Sequence, residues 1–295
     1  MTENAFNAWV SSRLADRRKS VIVIDSLLHF VFATISIAMG LKISISGAAG
    51  RMGQRLIVCC SEDKDLTLVD AIDHDDHPSI GSDSGLHSGT GATDVKIAST
   101  YCGQSQAVID FSTLAGAILA TKYCVENGCP LVMATTGLED AEVAAIKQAA
   151  ESIPVVWAPS MSLAVNLMMK VTEFVGKALK GIDGGVDVEI LERHHRFKVD
   201  SPSGTALKFG QIVGDAMGLT QHTHGREGVV GQRPSNEIGY HAVRAGDDPG
   251  QHTILFGMQG EKIELHVAAS NRDCYALGAL AAAAGNRSVQ RILDS

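Results

Sequence analysis

The chain has six cysteines, at positions 59, 60, 102, 124, 129 and 274, yet no Cys-x-x-Cys pair among them. That absence removes the usual spacings of a zinc site and of a thioredoxin-like redox motif. Most of these thiols sit in apolar runs, which reads as buried free thiols in a reducing compartment, hence a cytoplasmic protein without a metal. No basic run interleaves with aromatics, and the net charge is −8, so no nucleic-acid partner is expected. Internal repeats and low-complexity tracts are lacking too. What is present is an apolar fraction of 45% over 295 residues. That is ample for a core and long enough for one large or two ordinary domains.

The N-terminal stretch stands apart. Arg13, Arg17, Arg18 and Lys19 precede an apolar run from Val21 to Met39. The run has the length of a membrane span, and its layout resembles a signal peptide, but no Ala-x-Ala-like site closes it. Asp25 and His29 interrupt it, and either is costly at a bilayer centre. Met39-Gly-Leu-Lys-Ile-Ser lies just before the first clear strand. Residues 1–38 therefore read as an extension, from a start assigned too early or as a dispensable or disordered segment. A membrane anchor is the alternative, and no membrane contact is expected of the core.

From residue 41 to about 160 strand and helix patterns alternate. Lys42–Ser46 reads as a buried strand, Gly47-Ala-Ala-Gly-Arg-Met-Gly53 follows at once, and Met52, Leu56, Ile57 and Cys60 keep helical spacing. A tight glycine turn at a helix start lets backbone amides approach a pyrophosphate. A second strand, Leu66–Ile72, ends at Asp73, where a dinucleotide fold places an acid on the adenosine ribose. Glycine spacing alone is weak, and a turn without a ligand is the competing reading. Strand, glycines, helix, strand and acid together are much more specific. Further strands at Ala107–Phe111, Leu131–Ala134 and Val155–Trp157 alternate with helices at Leu114–Val125 and Glu139–Glu151. This βαβ grammar predicts a doubly wound parallel sheet of Rossmann type, with ligands at the carboxyl ends of its strands.

Beyond Asn166 the grammar changes. The pattern predicts a helix over Leu167–Leu179, a strand over Val186–Leu191, and a helix over Ala206–Met217. Strand-like runs follow at Tyr240–Arg244, Thr253–Met258 and Ile263–Ala269, the last two joined by a hairpin at Gln259-Gly260. The closing helix, Tyr275–Ala284, is expected to pack back on the first domain. The fold class is thus α/β, an N-terminal Rossmann-type domain (39–163 with 274–295) plus a C-terminal α+β domain with a mixed sheet (164–273) for substrate binding and oligomerisation.

The densest chemistry lies in Glu192-Arg-His-His-Arg-Phe-Lys-Val-Asp-Ser-Pro-Ser-Gly-Thr205. Histidine offers a proton near neutral pH, Lys198 offers charge for a carboxylate, and Ser203-Gly-Thr205 offers free amides at a helix start. A lone histidine is more often structural. Two histidines beside a lysine and an anion turn suggest acid catalysis on an anionic small molecule. On an extended strand only one of His194 and His195 faces a given side.

This stretch resembles the signature of the 4-hydroxy-tetrahydrodipicolinate (dihydrodipicolinate) reductase family. Gly47–Gly53, Asp110-Phe-Ser112, Thr135-Thr-Gly137, Arg226-Glu-Gly228, Arg244-Ala-Gly-Asp247 and His252-Thr253 resemble the family in the same order, over residues 41 to 285. The resemblance implies reduction of a cyclic dicarboxylate in the diaminopimelate route to lysine, with NADH or NADPH. It implies cofactor contacts from Gly47, Ala48, Ala49, Gly50, Arg51 and Met52 at the phosphates and from Asp73 and His74 at the ribose. Ala134, Thr135, Thr136, Ala158, Pro159, Ser160 and Met161 then line the nicotinamide. His194 is implied as the acid with Lys198 as partner, and His195, Lys198, Ser203, Gly204 and Thr205 as the carboxylate site. A homotetramer built through the C-terminal domain is implied as well. Four positions depart from the family pattern: Ala134 stands for glycine, Pro159-Ser160 for Ala-Asn, and His74 for arginine. The last favours NADH at least as much as NADPH. Another two-domain nicotinamide dehydrogenase and a non-catalytic dinucleotide-binding regulator are the competing readings. The paired histidines with Lys198 argue against the first, and the retained acid and lysine against the second.

Overall fold

The computed structural model describes residues 22–23, 40–158 and 160–285. The chain divides into two compact units, one running to Ala158 and resuming at Ala279, the other spanning Pro159–Gly278.

The first unit is a seven-stranded parallel sheet: β1 (Ile22–Val23), β2 (Leu41–Ser46), β3 (Leu66–Ile72), β4 (Ile97–Ala98), β5 (Ala107–Asp110), β6 (Leu131–Met133) and β7 (Val155–Trp157). Its order is β1-β7-β6-β5-β2-β3-β4. Apolar runs build it because both faces are covered: Ile43, Ile45, Val108, Ile109 and Leu131 are all buried. The helices are α1 (Arg51–Glu62), the short α2 (Ser84–Ser88), α3 (Leu114–Asn127) and α4 (Asp140–Ala149). Thr113 caps α3, and Gly128 ends it in the left-handed conformation at φ 62°. β2 pairs with β3 on one side and β5 on the other. Strand order reverses there, which places the ligand-binding crevice at the ends of these two strands. Of residues 1–38, Ile22 and Val23 pair with Val156 and Trp157. The rest of that extension lies outside the described residues.

The second unit holds α5 (Leu163–Leu179), β8 (Asp187–His194), α6 (Gly204–Met217), β9 (Gln221–His224), β10 (Glu237–Arg244), β11 (Gln251–Met258) and β12 (Glu261–Ala268). The boundary back to the first unit falls inside α7 (Asp273–Ala283). The sheet order is β12-β11-β8-β10-β9, with β8 antiparallel to β11 and parallel to β10. Val188, Ile190, Ile238, Tyr240, Ile254 and Phe256 turn inward against Phe209 and Val213 of α6 and Val165 and Met169 of α5. Gly210 is required here, since a Cβ on it would lie 1.7 Å from the Tyr240 hydroxyl oxygen.

Several elements differ from the sequence expectation. α5 begins at Leu163 rather than Leu167 because the Ser162 hydroxyl accepts from the Val165 amide and starts the helix early. α6 begins at Gly204 rather than Ala206 for the same reason, with Ser203 accepting from Ala206. β8 extends past Leu191 to His194, because pairing to two neighbours keeps it extended. The hairpin at Gln259-Gly260 is present, with Met258 opposite Glu261.

Candidate active site

In the first unit the glycine turn is shaped by close approach. A Cβ on Gly47, whose φ is 77°, would come within 2.3 Å of the Phe111 carbonyl oxygen. One on Gly53 would come within 2.1 Å of the Gly47 carbonyl. Helix α1 is thereby seated directly on the turn. Gly50 caps α1 without a side-chain hydrogen bond, so the leading amides of Arg51 and Met52 have no side-chain acceptor and suit an anionic pyrophosphate. Asp73 Oδ2 accepts from the Ala49 amide at 2.8 Å and Oδ1 from the His74 amide at 2.9 Å, which fixes the acid against the turn. The His74 side chain is 60% exposed, with Nε2 4.0 Å from Asp73 Oδ1.

Asp110 ends β5 fully buried. It accepts from Ser112 Oγ at 2.6 Å and from Thr135 Oγ1, while Thr135 Oγ1 accepts from the Ser112 amide at 2.9 Å. This stitches the loop after β5 to the loop after β6. Burial pushes the Asp110 pKa up, against the pull of the two hydroxyls. Ala134 and Thr135 are buried beside it and Thr136 is exposed. Ala158 follows β7; Ser160 and Met161 open the second unit, and Pro159 lies outside the described residues.

In the second unit Glu192 and His194 alternate onto the same buried side of β8, at 3% and 8% exposure. His194 Nδ1 lies 2.6 Å from Glu192 Oε2. Arg244, opposite His194 on β10, grips both Glu192 oxygens at 2.8 and 2.7 Å. The Ser203 amide donates to Glu192 Oε1 at 3.1 Å. Burial pushes the Glu192 pKa up, but Arg244 and His194 outweigh it and hold it below the usual carboxylate range. An ionised Glu192 can only accept, so Nδ1 carries a proton and Nε2 is the outward end. Burial lowers the His194 pKa, and the Glu192 carboxylate opposes that fall. Gly250, at φ 141°, makes room for the ring: a Cβ there would sit 2.8 Å from His194 Nε2.

His252 lies under the site, its ring 5.3 Å from that of His194. It shares a 3.0 Å hydrogen bond with Ser203 Oγ, and burial lowers its pKa to about 4. Lys198 donates to Asp200 Oδ1 at 2.7 Å. His195 leaves the strand, its amide bonded to the Asp248 carbonyl at 2.8 Å, with Nδ1 buried and unpartnered. Gly204 and Thr205 open α6. His194, Glu192, Arg244, Ser203 and His252 thus form one cluster. The sequence does not reveal the roles of Glu192, Arg244 and His252, since spacing along the chain does not show pairing across β8. Arg226 and Arg233 both anchor on Glu189 and bracket it. Among the described residues, no group of His, Cys, Asp and Glu is placed to hold a metal, and no helix is long and apolar enough to cross a membrane.

A doubly wound parallel sheet with an open helix start over a glycine turn, followed by a mixed-sheet unit with a carboxylate-oriented histidine, defines a two-unit NAD(P)H-dependent oxidoreductase. Residues 41–161 match the family description "Dihydrodipicolinate reductase, N-terminus" and residues 164–292 its C-terminus counterpart. A 4-hydroxy-tetrahydrodipicolinate reductase of Rhodopirellula baltica is 55% identical over 249 residues, covering 82% of this chain and 89% of its own. One of Janthinobacterium sp. (strain Marseille) is 41% identical, covering 82% and 91%. A dipicolinate-bound dihydrodipicolinate reductase from Paenisporosarcina sp. TG-14 shares the fold, with a TM-score of 0.64 at 23% identity, covering 87% of this chain and 96% of that one. The chain belongs to the dihydrodipicolinate reductase family.

Proposed function

We propose that this chain reduces 4-hydroxy-tetrahydrodipicolinate to tetrahydrodipicolinate in the diaminopimelate route to lysine, with His194 as general acid. The observation that carries the proposal is the Glu192–His194–Arg244 cluster, hydrogen-bonded to the very amide that opens the Ser203-Gly204-Thr205 anion turn. One buried carboxylate thereby fixes an acid and a carboxylate-binding helix start together.

The first unit fits a nicotinamide dinucleotide. Gly47 to Met52 would hold the pyrophosphate at the uncapped start of α1, Asp73 and His74 the ribose, and Ala134 to Thr136 and Ala158 the nicotinamide. Bound there, the reduced cofactor supplies a hydride. Loss of water from the substrate leaves a conjugated diene-imine, and hydride addition to its ring leaves an enamine that needs one proton. His194 delivers that proton from Nε2 while Nδ1 stays bonded to Glu192, so the positive charge of the protonated ring faces a fixed anion. His195, Lys198, Ser203, Gly204 and Thr205 hold the carboxylates, by charge from Lys198 and by directed amides at α6. Asp73 with no adjacent arginine supports NADH at least as well as NADPH.

We further propose a homotetramer joined through the C-terminal unit, supported by exposed Leu191 and Val243 on the sheet face turned away from α5 and α6. Six free cysteines support a cytoplasmic setting. The test is a coupled assay in which a separate synthase condenses pyruvate with aspartate semialdehyde. Absorbance is followed with NADH and NADPH in parallel. Oxidation that needs both synthase and this protein is expected. Folded protein that binds dinucleotide but oxidises neither would point to another substrate or a regulator.

A further inference from the structure

Lys198, assigned to a substrate carboxylate, already holds a carboxylate. Lys198 Nζ donates to Asp200 Oδ1 at 2.7 Å. Burial pushes the Asp200 pKa up, yet Lys198 outweighs it and holds it below the ordinary aspartate value. The backbone here is pinned, since Arg244 Nη2 donates to the Asp200 carbonyl at 2.7 Å. The side chain is free to swing, being 51% exposed. A Cβ on Gly204 would meet nothing within 4 Å, so the turn is open to an incoming group.

We propose that Asp200 is an internal stand-in for one carboxylate of the substrate, occupying Lys198 in the free protein and displaced when a dicarboxylate binds. The inference rests on the reading that Lys198 holds the substrate. It has two consequences. Binding exchanges one anion for another, so part of the Lys198 attraction cancels and the ground state is held loosely, which favours turnover over tight capture. The exchange also keeps a negative charge beside Lys198 throughout, and Lys198 is one of the cations that act on His194. The acid therefore meets a similar field whether the site is empty or full.

Pyridine-2,6-dicarboxylate is the probe, titrated by calorimetry into the full-length wild type, Asp200→Asn, Asp200→Ser and Lys198→Met. Both Asp200 variants should bind it more tightly, roughly tenfold for loss of one competing charge-assisted pairing, and KM should fall by a similar factor. Unchanged or weaker binding by both folded variants overturns the stand-in role. Lys198→Met binding as tightly as wild type would instead overturn the assignment of the carboxylate site. Wild-type protein supplies a readout that needs no variant. The Asp200 carboxyl resonance should titrate at higher pH when the probe saturates the site, and an unmoved titration also overturns the proposal.

Discussion

His194 carries out its proposed task because of what lies behind it. A histidine with both ring nitrogens in water points either way, whereas Glu192, itself gripped by Arg244, fixes Nδ1 and leaves Nε2 to act. Replacing His194 by Gln should lower kcat by about 10²- to 10⁴-fold, the range of general acid help, with a much smaller change in KM. Steady-state kinetics check this. Glu192→Gln keeps the shape but removes the anion that opposes the fall in the His194 pKa. An acid is active while protonated, so the alkaline fall-off of kcat/KM should move to lower pH in that variant. A pH profile with the fall-off in place would mean that Glu192 does not tune the acid.

At the level of elements, the loop between β10 and β11 matters as much as the strand that bears the acid. Gly250→Ala places a methyl against His194 Nε2 in a backbone region hostile to L side chains. It should cost about 1–3 kcal/mol of stability and depress kcat together, measured by denaturant melts and kinetics. His252, on β11, has a folded pKa near 4 against an ordinary 6.5. Its neutral form is the one that folding favours, so its contribution is intact above pH 6.5 and is lost as pH falls towards 4, about 3 kcal/mol in all. Melts at pH 7 and pH 4.5 should differ less in His252→Gln than in wild type. β2, β3, β5, β6 and β7 were legible because buried apolar residues mark them between turn and helix signals, and the glycine turn because its chemistry is local, whereas β1 and β4, two residues each, are too short to leave a pattern. β9, Gln221-His-Thr-His224, carries no apolar signal and exists only because β10 offers it an edge. The Glu192–Arg244 pair was illegible for a related reason: 52 residues separate its members, and parallel pairing of β8 with β10 alone brings them together. The positions of His194, Lys198 and Ser203–Thr205, by contrast, lie within one short stretch and were readable from it.

At the scale of the whole molecule, the sheet of the second unit has one face filled by α5 and α6 and another that carries Leu191 and Val243. If that face joins copies, light scattering should give the mass of four chains for wild type. Leu191→Lys combined with Val243→Lys should give a smaller species with unchanged circular dichroism. A variant that remains a tetramer would place the interface elsewhere. Connectivity matters too. The first unit stops at Ala158 and resumes only at Ala279, so the second unit is an insertion within it. Ala279 and Leu280, both buried, belong to its closing segment. During synthesis on the ribosome the glycine turn emerges early, but its sheet lacks that segment until the whole second unit has left the exit tunnel. All seven strands of the first unit are made before β8, so that unit waits only for its closing helical segment, and its completion is delayed past the usual N-terminal-first order of folding. Chaperones that bind nascent chains would therefore meet, as the long-lived unfinished surface, the part of the first unit that awaits Ala279 and Leu280.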